Sequence, residues 1–546
     1  MSEKNLNELA AIRRLSEVGI ALSAEKDSAR LMELILRSAK ELTGADGGTL
    51  YTREKNELVF EIMLTESLGI HLGGTSGSPI ELPRIPLYDD DGNPNDKTVA
   101  AHAAVSGQTV NIPDVYDATG YDFSGTQSFD RQTGYRSKSF LTVPMLNHTD
   151  DVIGVLQLIN RISPSGEPVE FDLANQLMVE SLASQAAIAM TNKRLLDEQR
   201  MLFEAFIELI AGAIDDKSPY TGGHCRRVPE LTMMLADAAA ATTEGPLKDF
   251  TMTEDDRYEL GIAGWLHDCG KVTTPESVVD KGTKLETIFD RIHLVKTRFE
   301  VLKRDARIRM LEKKLAAAGG KLGNGDEAEA EYDAALAKFD QDRKFLEHVN
   351  IGGEFMSDED QERVREIGAY RFVGEEGRPT SFLTDGEIYN LTIRRGTLTP
   401  EEREIINHHI VATIKMLESL PYPKHLRRVP EFAGGHHERM DGKGYPKGLK
   451  REEMSVQARA MGIADIFEAL TAGDRPYKRG FTLSEALTIL GKMKLDNHVD
   501  PDLFDVFVRE KVYVTYAERF LKPEQIDEVD LSRIPGYSPA VETSTS

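Results

Sequence analysis

The spacing of apolar residues changes along this 546-residue chain, and each change limits the fold that a segment can adopt. Residues 1–45 carry apolar side chains at spacings of three and four, which predicts helices. Residues 46–160 instead hold short apolar runs such as ELVFEIML, SFLTVPML and DVIGVLQLIN, separated by clusters of Gly, Pro, Asn and Asp. Strands with helices on both sides predict an α+β domain built around an antiparallel sheet.

A long helix is predicted next, because no Pro or turn cluster interrupts residues 171–214. Apolar residues repeat there every seven positions in two rows: Leu182, Ala189, Leu196, Phe203, Ile210, and beside it Ile188, Leu195, Leu202, Leu209. Such a repeat over four heptads is typical of a coiled-coil seam. We therefore predict a connecting helix over 176–214 that pairs two copies in a parallel homodimer, with Leu182, Leu196, Phe203 and Ile210 facing the partner. Packing of the stripe on the chain's own domain is the alternative.

The rest of the chain, from residue 215 to 512, has an almost entirely helical pattern and predicts an all-α domain. Residues 296–316 hold eight Lys or Arg and three Asp or Glu, whereas residues 326–347 hold three and eight. The Gly-rich segment AAAGGKLGNG joins them. Opposite charges across a turn predict an antiparallel helical hairpin, inserted over about 286–395. Residues 513–546 are predicted to be a partly disordered extension.

Charge and composition exclude several classes of protein. Lys and Arg number 66 and Asp and Glu number 91, so the net charge is −25, which disfavours nucleic acid as a partner. No run of 18 apolar residues predicts a membrane span, and the N-terminus lacks an apolar signal-peptide core. Only Cys225 and Cys269 occur, which excludes a disulfide scaffold. We expect a cytoplasmic protein.

Histidine and aspartate residues in helical surroundings indicate a metal centre. Adjacent residues on a helix point about 100° apart, so His436 and His437 can reach two neighbouring ions. Five His and two Asp form the candidate set: His224, His267, Asp268, His409, His436, His437 and Asp465. Imidazole and carboxylate together suit Fe, Mn, Zn or Ni better than Mg or Ca. Taken alone, the pair His267-Asp268 also fits a buried ion pair without a metal.

The runs HDCGK, HHERMDGKGYP and ADIFEALTAGDRPYK resemble the HD-GYP family of the HD hydrolase superfamily. The resemblance implies a metal-dependent phosphodiesterase over 215–512 that hydrolyses cyclic di-GMP to pGpG and/or GMP by a metal-bridged hydroxide. It implies that the seven residues are metal ligands for two divalent ions per chain, with Fe or Mn favoured and Zn or Ni possible. Tyr220 stands where some members carry a Glu that recruits a third metal.

The same resemblance implies further roles at the site. Asp268 and Lys271 are the expected catalytic residues. The residues expected to bind the dinucleotide are Lys271, Tyr445, Arg475 and Lys478. Glu438 and Asp441 are expected to hold the histidine tautomers. The formal charges of two divalent ions, two aspartates and a hydroxide sum to +1, which favours a negatively charged phosphodiester substrate. Two metals also stabilise both the attacking and the leaving oxygen of an in-line displacement.

The N-terminal runs AHAAVSGQTVNIPDVY, RSKSFLTVPM and DVIGVLQLINR resemble a GAF domain, which implies a small-ligand sensory module over 1–175. Asn175 and Gln176 stand where cyclic-nucleotide-binding GAF domains carry acids, and amides cannot form the same ion pair. The GAF ligand is therefore unknown, and a pocket filled by side chains is the alternative.

Two other functions stay open. The chain can be a non-catalytic, cyclic di-GMP-responsive or protein-interaction module, or an HD hydrolase of another cyclic dinucleotide. No motif residue is lost, which favours the enzyme. Cys225 and Cys269 are interpreted as core residues, with a redox-sensitive role as the alternative.

Overall fold

The chain forms two compact units, Met1–Phe203 and Glu204–Ser546. The computed structural model describes residues 3–217, 223–318, 325–353, 355–374, 377–473 and 480–538. Predictions on Tyr220, Arg475, Lys478 and the tail from 539 therefore lie outside the described residues. Within the described ranges, no helix combines the length and the apolar character needed to cross a membrane.

The N-terminal unit is an antiparallel sheet flanked by helices, as the sequence predicts. Its helices are α1 Glu3–Ala24, α2 Ser28–Thr43, α3 Val99–Ser106, α4 Ser124–Thr133 and the first part of α5 Leu173–Lys217. Its strands are β1 Ala45–Glu54, β2 Glu57–Thr65, β3 Ile70–Gly73, β4 Ile85–Pro86, β5 Val110–Ile112, β6 Phe140–Leu146, β7 Val152–Ile162 and β8 Pro168–Val169. The strand order is β3-β2-β1-β7-β6-β5, with β4 beside β2 and β8 beside β7.

One face of this sheet packs on α2 and α5. Leu50 of β1 lies opposite Ile62 of β2 and Leu156 of β7, and all three side chains are buried. Helix α2 turns an apolar face toward them, with Ile35 and Leu36 fully buried. Pairing at this register places one apolar side of each strand in the core.

The first half of α5 belongs to this core, which corrects the predicted dimer stripe. Leu182 is 0% exposed and packs within the N-terminal unit's own core, so it cannot face a partner chain. Only the placement of Leu182 is corrected, because Leu196 and Ile210 of the same row are 63% and 46% exposed. In the neighbouring row, Ile188, Leu195 and Leu202 are 53%, 49% and 58% exposed. The predicted start of the connecting helix at 176 thus falls inside a helix that is already built into the domain.

Packed apolar side chains fill the opposite face of the sheet. An apolar cluster there comprises Val99, Ile112, Val115, Phe123 and Phe140. Asn175 bonds with the backbone and side chain of Asp172 at the start of α5, and Gln176 accepts a hydrogen bond from Asn111. The two amides in the acid positions therefore serve the chain's own structure, which favours the filled-pocket alternative.

The C-terminal unit is predominantly helical. Its helices are α6 His224–Ala240, α7 Glu254–Leu266, α8 Glu276–Val279, α9 Ile292–Ala318, α10 Gly325–Asn350, α11 Asp358–Gly368, α12 Asp385–Leu391, α13 Pro400–Glu418, α14 Val429–Gly434, α15 Val456–Thr471, α16 Leu483–Leu495, α17 Pro501–Arg509 and α18 Val512–Phe520. A two-stranded ribbon joins β9 Arg371–Val373 and β10 Pro379–Ser381. Short 3-10 helices include Cys269–Thr273, which follows α7.

The insertion contains the predicted hairpin and more. Helices α9 and α10 are linked by ion pairs such as Lys303–Asp340 and Lys313–Glu331, whose order along the chain is that of an antiparallel pair. Helices α11 and α12 and the ribbon add a hydrophobic core of the insertion's own, which includes Phe299 and Phe382. The insertion is therefore a small packed subdomain, where the sequence predicted only a hairpin arm.

The predicted C-terminal extension is ordered up to residue 538, the last residue of it that the structure describes, and partial disorder of the extension stays a prediction. Helix α18 packs on α6 and buries Tyr513 and Tyr516. Lys494 donates a 2.7 Å hydrogen bond to the carbonyl oxygen of Gly536. The predicted domain boundary at residue 512 coincides with the first residue of α18. The helix belongs with the domain before it, because the apolar side of VYVTYAERF needs a partner surface.

Candidate metal centre

The structure brings all seven predicted metal ligands together in the C-terminal unit. They form two adjoining groups: Asp268, His409, His436 and His437 in one, and His224, His267 and Asp465 in the other. Within each group the candidate ligand atoms lie within 4.8 Å of one another. Five short segments of the chain supply them: the start of α6, the turn after α7, the middle of α13, the turn after α14 and the middle of α15.

A close backbone approach places Asp268 against α13. A side chain on Gly270 would put its Cβ 1.9 Å from the carbonyl oxygen of His409, so the contact requires glycine. The amide of Gly270 also donates a 2.9 Å hydrogen bond to Thr413 Oγ1. The 3-10 helix Cys269–Thr273 is thereby fixed on α13, and Asp268 lies directly before it.

Asp268 lies between the two groups. Its Oδ2 is 3.3 Å from Nε2 of His224 and 3.3 Å from Nε2 of His267, whereas its Oδ1 is 3.2 Å from Nε2 of His409. The carboxylate is 2% exposed, and Oδ1 has no hydrogen-bond partner among the residues that the structure describes. A buried carboxylate oxygen without a donor is unfavourable, and a cation would remove that cost.

Three of the histidine rings are oriented by the same device. His267, His409 and His436 each hold Nδ1 within 2.7 Å of the carbonyl oxygen three residues earlier. If Nδ1 carries the proton, it donates to this carbonyl and leaves Nε2 free to bind a metal.

His224 is oriented differently, by a residue that the sequence analysis missed. Its Nδ1 bonds to the buried carboxylate of Glu468, which also accepts a 2.7 Å hydrogen bond from Arg227. Glu468 is three residues after Asp465 on α15, so the two carboxylates share one side of the helix. That spacing was the signal available in the sequence.

Glu438 and Asp441 contact the backbone of their own loop, whereas the sequence analysis expected them to hold histidine rings. Glu438 accepts hydrogen bonds of 2.7 and 2.9 Å from the amides of Lys447 and Leu449. Asp441 accepts from the amide of Lys443. In the described part of the chain, neither is hydrogen bonded to a predicted metal ligand, so their contacts shape the loop that carries the GYP motif.

The facing ring nitrogens fit an intervening ion. Nε2 of His224 and Nε2 of His267 are 3.3 Å apart, and the Nε2 atoms of His409 and His437 are 3.2 Å apart. Two nitrogen ligands at about 2.1 Å from one metal are separated by about 3.0–3.4 Å at angles between 90° and 109°. Each pair is therefore spaced as two ligands of one ion are.

The protonation states also suit a divalent metal. Burial lowers the pKa of His437 to about 4, and burial with the neighbouring rings lowers the pKa of His436 well below its usual value. Burial alone would raise the pKa of Asp268, but Lys271 and His267 outweigh it and hold that pKa well below its usual value. Neutral imidazoles and ionised carboxylates are the forms that bind metals.

The raised pKa of His224 shows that the carboxylates around it favour a positive charge at this position. Burial would lower the pKa of its ring, but Glu468, Asp268 and Asp465 outweigh burial and raise that pKa well above its usual value. The same carboxylates would favour a metal cation in place of the proton.

Two predicted substrate residues border the centre. Lys271 Nζ lies 2.5 Å from Asp268 Oδ2. The ring of Tyr445 stacks on that of His437, with centroids 4.9 Å apart and planes at 21°. Cys225 and Cys269 are buried free thiols, and burial raises both pKa values, that of Cys269 to about 11. Protonated thiols are poor nucleophiles, which favours the core interpretation.

Comparisons with known proteins agree with this architecture. A GAF domain model matches residues 27–190, and two HD domain models match residues 221–378 and 384–503. A cyclic di-GMP phosphodiesterase of Thermotoga maritima is 28% identical over 46% of this chain and 69% of its own length. A 3'3'-cGAMP-specific phosphodiesterase of Vibrio cholerae is 43% identical, over 15% of this chain and 19% of its own.

A cyclic di-GMP phosphodiesterase of Pseudomonas aeruginosa is 36% identical over 21% of this chain and 26% of its own length. The chain thus spans about two thirds of the Thermotoga relative, and 19% and 26% of the other two. Among solved structures, the GAF domain of a phosphoenolpyruvate-protein phosphotransferase from Coxiella burnetii is 15% identical, with a TM-score of 0.28, over 35% of this chain and 99% of its own. The chain thus carries a GAF domain in its N-terminal unit and HD domain sequence in its C-terminal unit.

Proposed function

We propose that the chain is a metal-dependent phosphodiesterase that hydrolyses cyclic di-GMP. One observation carries the proposal: the buried carboxylate of Asp268 lies between two groups of histidines, with Lys271 Nζ 2.5 Å from its Oδ2. The named activities of the Thermotoga and Pseudomonas relatives support the substrate. The products, pGpG and/or GMP, are part of the proposal.

His224, His267 and Asp465 would hold one divalent ion and His409, His436 and His437 a second, with Asp268 between them. Bound ions would neutralise phosphate charge and lower the pKa of a bound water. The donor set favours Fe or Mn and admits Zn or Ni. The predicted number of ions, two per chain, rests partly on Tyr220, which lies outside the described residues.

The chain's own residues would bind and orient the dinucleotide. The ammonium of Lys271 is held at the edge of the metal groups, where it would attract a phosphate oxygen. Tyr445 presents an aromatic ring beside His437, and the contacts of Glu438 with its loop support that position. Arg475 and Lys478 remain predicted substrate contacts.

A second substrate is favoured by one specific observation. The Vibrio relative named for 3',3'-cGAMP is 43% identical over its matched segment, a higher identity than that of the Thermotoga relative. The two cyclic dinucleotides share the phosphodiester ring and differ in one base. Hydrolysis of 3',3'-cGAMP by the same centre is therefore the second candidate, whereas a non-catalytic module is disfavoured because every predicted ligand is present.

We further propose that the GAF domain regulates the activity through α5 in a homodimer. The exposed row of Ile188, Leu195 and Leu202 repeats every seven residues, as a coiled-coil seam does. An exposed apolar stripe of this kind is unfavourable in an isolated chain. The proposed seam therefore uses the exposed residues of both rows, including Leu196 and Ile210, and leaves out the buried Leu182.

The test uses the full chain purified without oxygen. Metal content is measured first, and the protein is then incubated with cyclic di-GMP and, separately, with 3',3'-cGAMP, followed by chromatography of the products. The proposal predicts two ions per chain and conversion of cyclic di-GMP to linear products. Metal-loaded protein that leaves cyclic di-GMP intact would refute it, and conversion of 3',3'-cGAMP alone would establish the second candidate.

A further inference from the structure

The last turn of α5 contacts two segments that carry predicted metal ligands. Asp215 and Lys217 lie in this turn, and both belong to the C-terminal unit. We call these two residues the α5 clamp.

Lys217 holds the segment that follows the HD pair. Its Nζ donates hydrogen bonds of 3.2, 2.7 and 2.6 Å to the carbonyl oxygens of Lys271, Val272 and Thr274. These carbonyls lie at the C-terminal end of the 3-10 helix Cys269–Thr273, where the carbonyl of Lys271 also accepts a 3.1 Å hydrogen bond from the amide of Thr274. A cation is favourable there, because the peptide dipoles place partial negative charge at that end.

Asp215 holds the start of α6. Its carboxylate accepts a 3.0 Å hydrogen bond from the amide of Gly223 and a 3.3 Å bond from the amide of Cys225. These amides belong to the unpaired N–H groups at the helix N-terminus, and Gly223, the N-cap, has no capping side chain of its own. His224, a predicted metal ligand, lies between them.

The clamped segment has little freedom on its other side. Gly270 is in contact with the backbone of α13, and its amide is bonded to Thr413. Asp268 and Lys271 are joined through the backbone bond from Lys271 N to the Asp268 carbonyl and through their side chains. The segment is thus fixed by α13 on one side and by Lys217 at its carbonyl end.

From these contacts we infer that Lys217 is a positioning residue: it holds the 3-10 helix so that Asp268 and Lys271 keep their places at the metal centre. The inference rests on the proposed function and adds the route of its regulation. Asp215 and Lys217 end the same helix, α5, whose first half is part of the GAF core. A shift or rotation of α5 would therefore act on His224 and on the Asp268 segment together.

The test compares Lys217→Met, Lys217→Arg and Lys193→Met in the metal-loaded full chain. Lys193 is the matched control, because it lies on α5 and bonds to Asp197 on the same helix. Loss of three hydrogen bonds from a charged donor is expected to speed amide exchange at Lys271 and Thr274 by about tenfold or more in Lys217→Met. The kcat of Lys217→Met should fall about tenfold, whereas its KM should change by less than about twofold and its metal content should equal that of the parent.

Lys217→Arg should restore most of kcat and of the slow exchange, since the guanidinium can also donate to carbonyls, and Lys193→Met should match the parent. Parent-like exchange and parent-like kcat in Lys217→Met would overturn the inference. Should Lys217→Met fail to fold, Lys217→Gln takes its place, and the same exchange comparison decides. A parent that does not hydrolyse cyclic di-GMP refutes the proposed function alone, because the exchange measurement still tests the clamp.

Discussion

Replacing Asp268 by Asn tests the metal centre with almost no change in side-chain size. The carboxylate lies 3.2–3.3 Å from the Nε2 atoms of His224, His267 and His409, so its charge serves both groups. Two unit charges 4 Å apart interact by about 4 kcal/mol at an effective dielectric constant of about 20. A ligand atom is closer than this to its ion and the ion is divalent, so metal affinity should fall by at least about 10³-fold.

The substitution also leaves Lys271 without its ionic partner. Removing one member of a buried ion pair costs about 3–5 kcal/mol. The side chain of Lys271 is 22% exposed, so we expect the low end, about 3 kcal/mol, in the free energy of unfolding of the metal-free protein. The helical circular dichroism should persist, since Asp268 lies after α7 and outside the helices themselves.

Asp500→Asn is the matched control. Asp500 is fully buried, caps α17 and pairs with Arg451 and Arg459, but it does not belong to either metal group. Plasma emission spectroscopy on both variants gives the metal content. Asp500→Asn should lower thermal stability and keep the parent's metal, whereas Asp268→Asn should lose metal and at least about 10³-fold of activity. Parent-like metal content in Asp268→Asn would refute the assignment.

Three further predictions concern other parts of the chain. Ile188→Glu combined with Leu195→Glu should give a monomer by light scattering, whereas Leu182→Ala should keep the dimer and destabilise the N-terminal unit by about 2–5 kcal/mol; a dimer that survives the double substitution places the seam elsewhere. A two-residue insertion after Asp197 would rotate the rest of α5 by about 200° and should change turnover at constant metal content, and unchanged turnover would make α5 a passive tether. Burial lowers the pKa of Lys284, whose ammonium bonds to two backbone carbonyls of the insertion, from 10.5 to about 8. Between these values the unfolded chain binds more protons, so stability should rise with pH from about 8 to 10.5. Between about pH 8 and 10.5 the unfolding temperature of Lys284→Met should rise less than that of the parent. An equal rise in the two proteins would contradict the lowered pKa of Lys284.

The order of the motifs was sufficient to predict both domains and the set of residues that meets at the metal centre. Long motifs fix residue types at set spacings, and five segments of the C-terminal half contribute to one site. The strand runs between Gly and Pro clusters likewise predicted the antiparallel sheet. These features are local, so they are readable before the fold is known.

Other features depend on tertiary packing, which spacing alone does not reveal. The heptad rows of α5 look equivalent in the sequence, but the sheet covers Leu182 and leaves Ile188 exposed. The role of Glu438 was wrongly predicted because its partners, the amides of Lys447 and Leu449, are backbone groups without a residue signature. Glu468 was missed for a different reason: its partner His224 is 244 residues away, so the spacing from Asp465 alone did not reveal the contact.

The insertion and the C-terminal segment show the same limit. Their charges and turn residues predicted a solvated arm and a loose tail. The apolar residues that give the insertion its core, among them Phe299 and Phe382, are far apart in the sequence, so no local pattern joins them.

The most direct test of the central claim is product chromatography after metal-loaded full-length protein is incubated with cyclic di-GMP, beside Asp268→Asn treated in the same way. Appearance of pGpG or GMP with the parent, and at least about 10³-fold less with the variant, is the predicted result. A parent that carries its full complement of metal and releases no linear product would contradict the account.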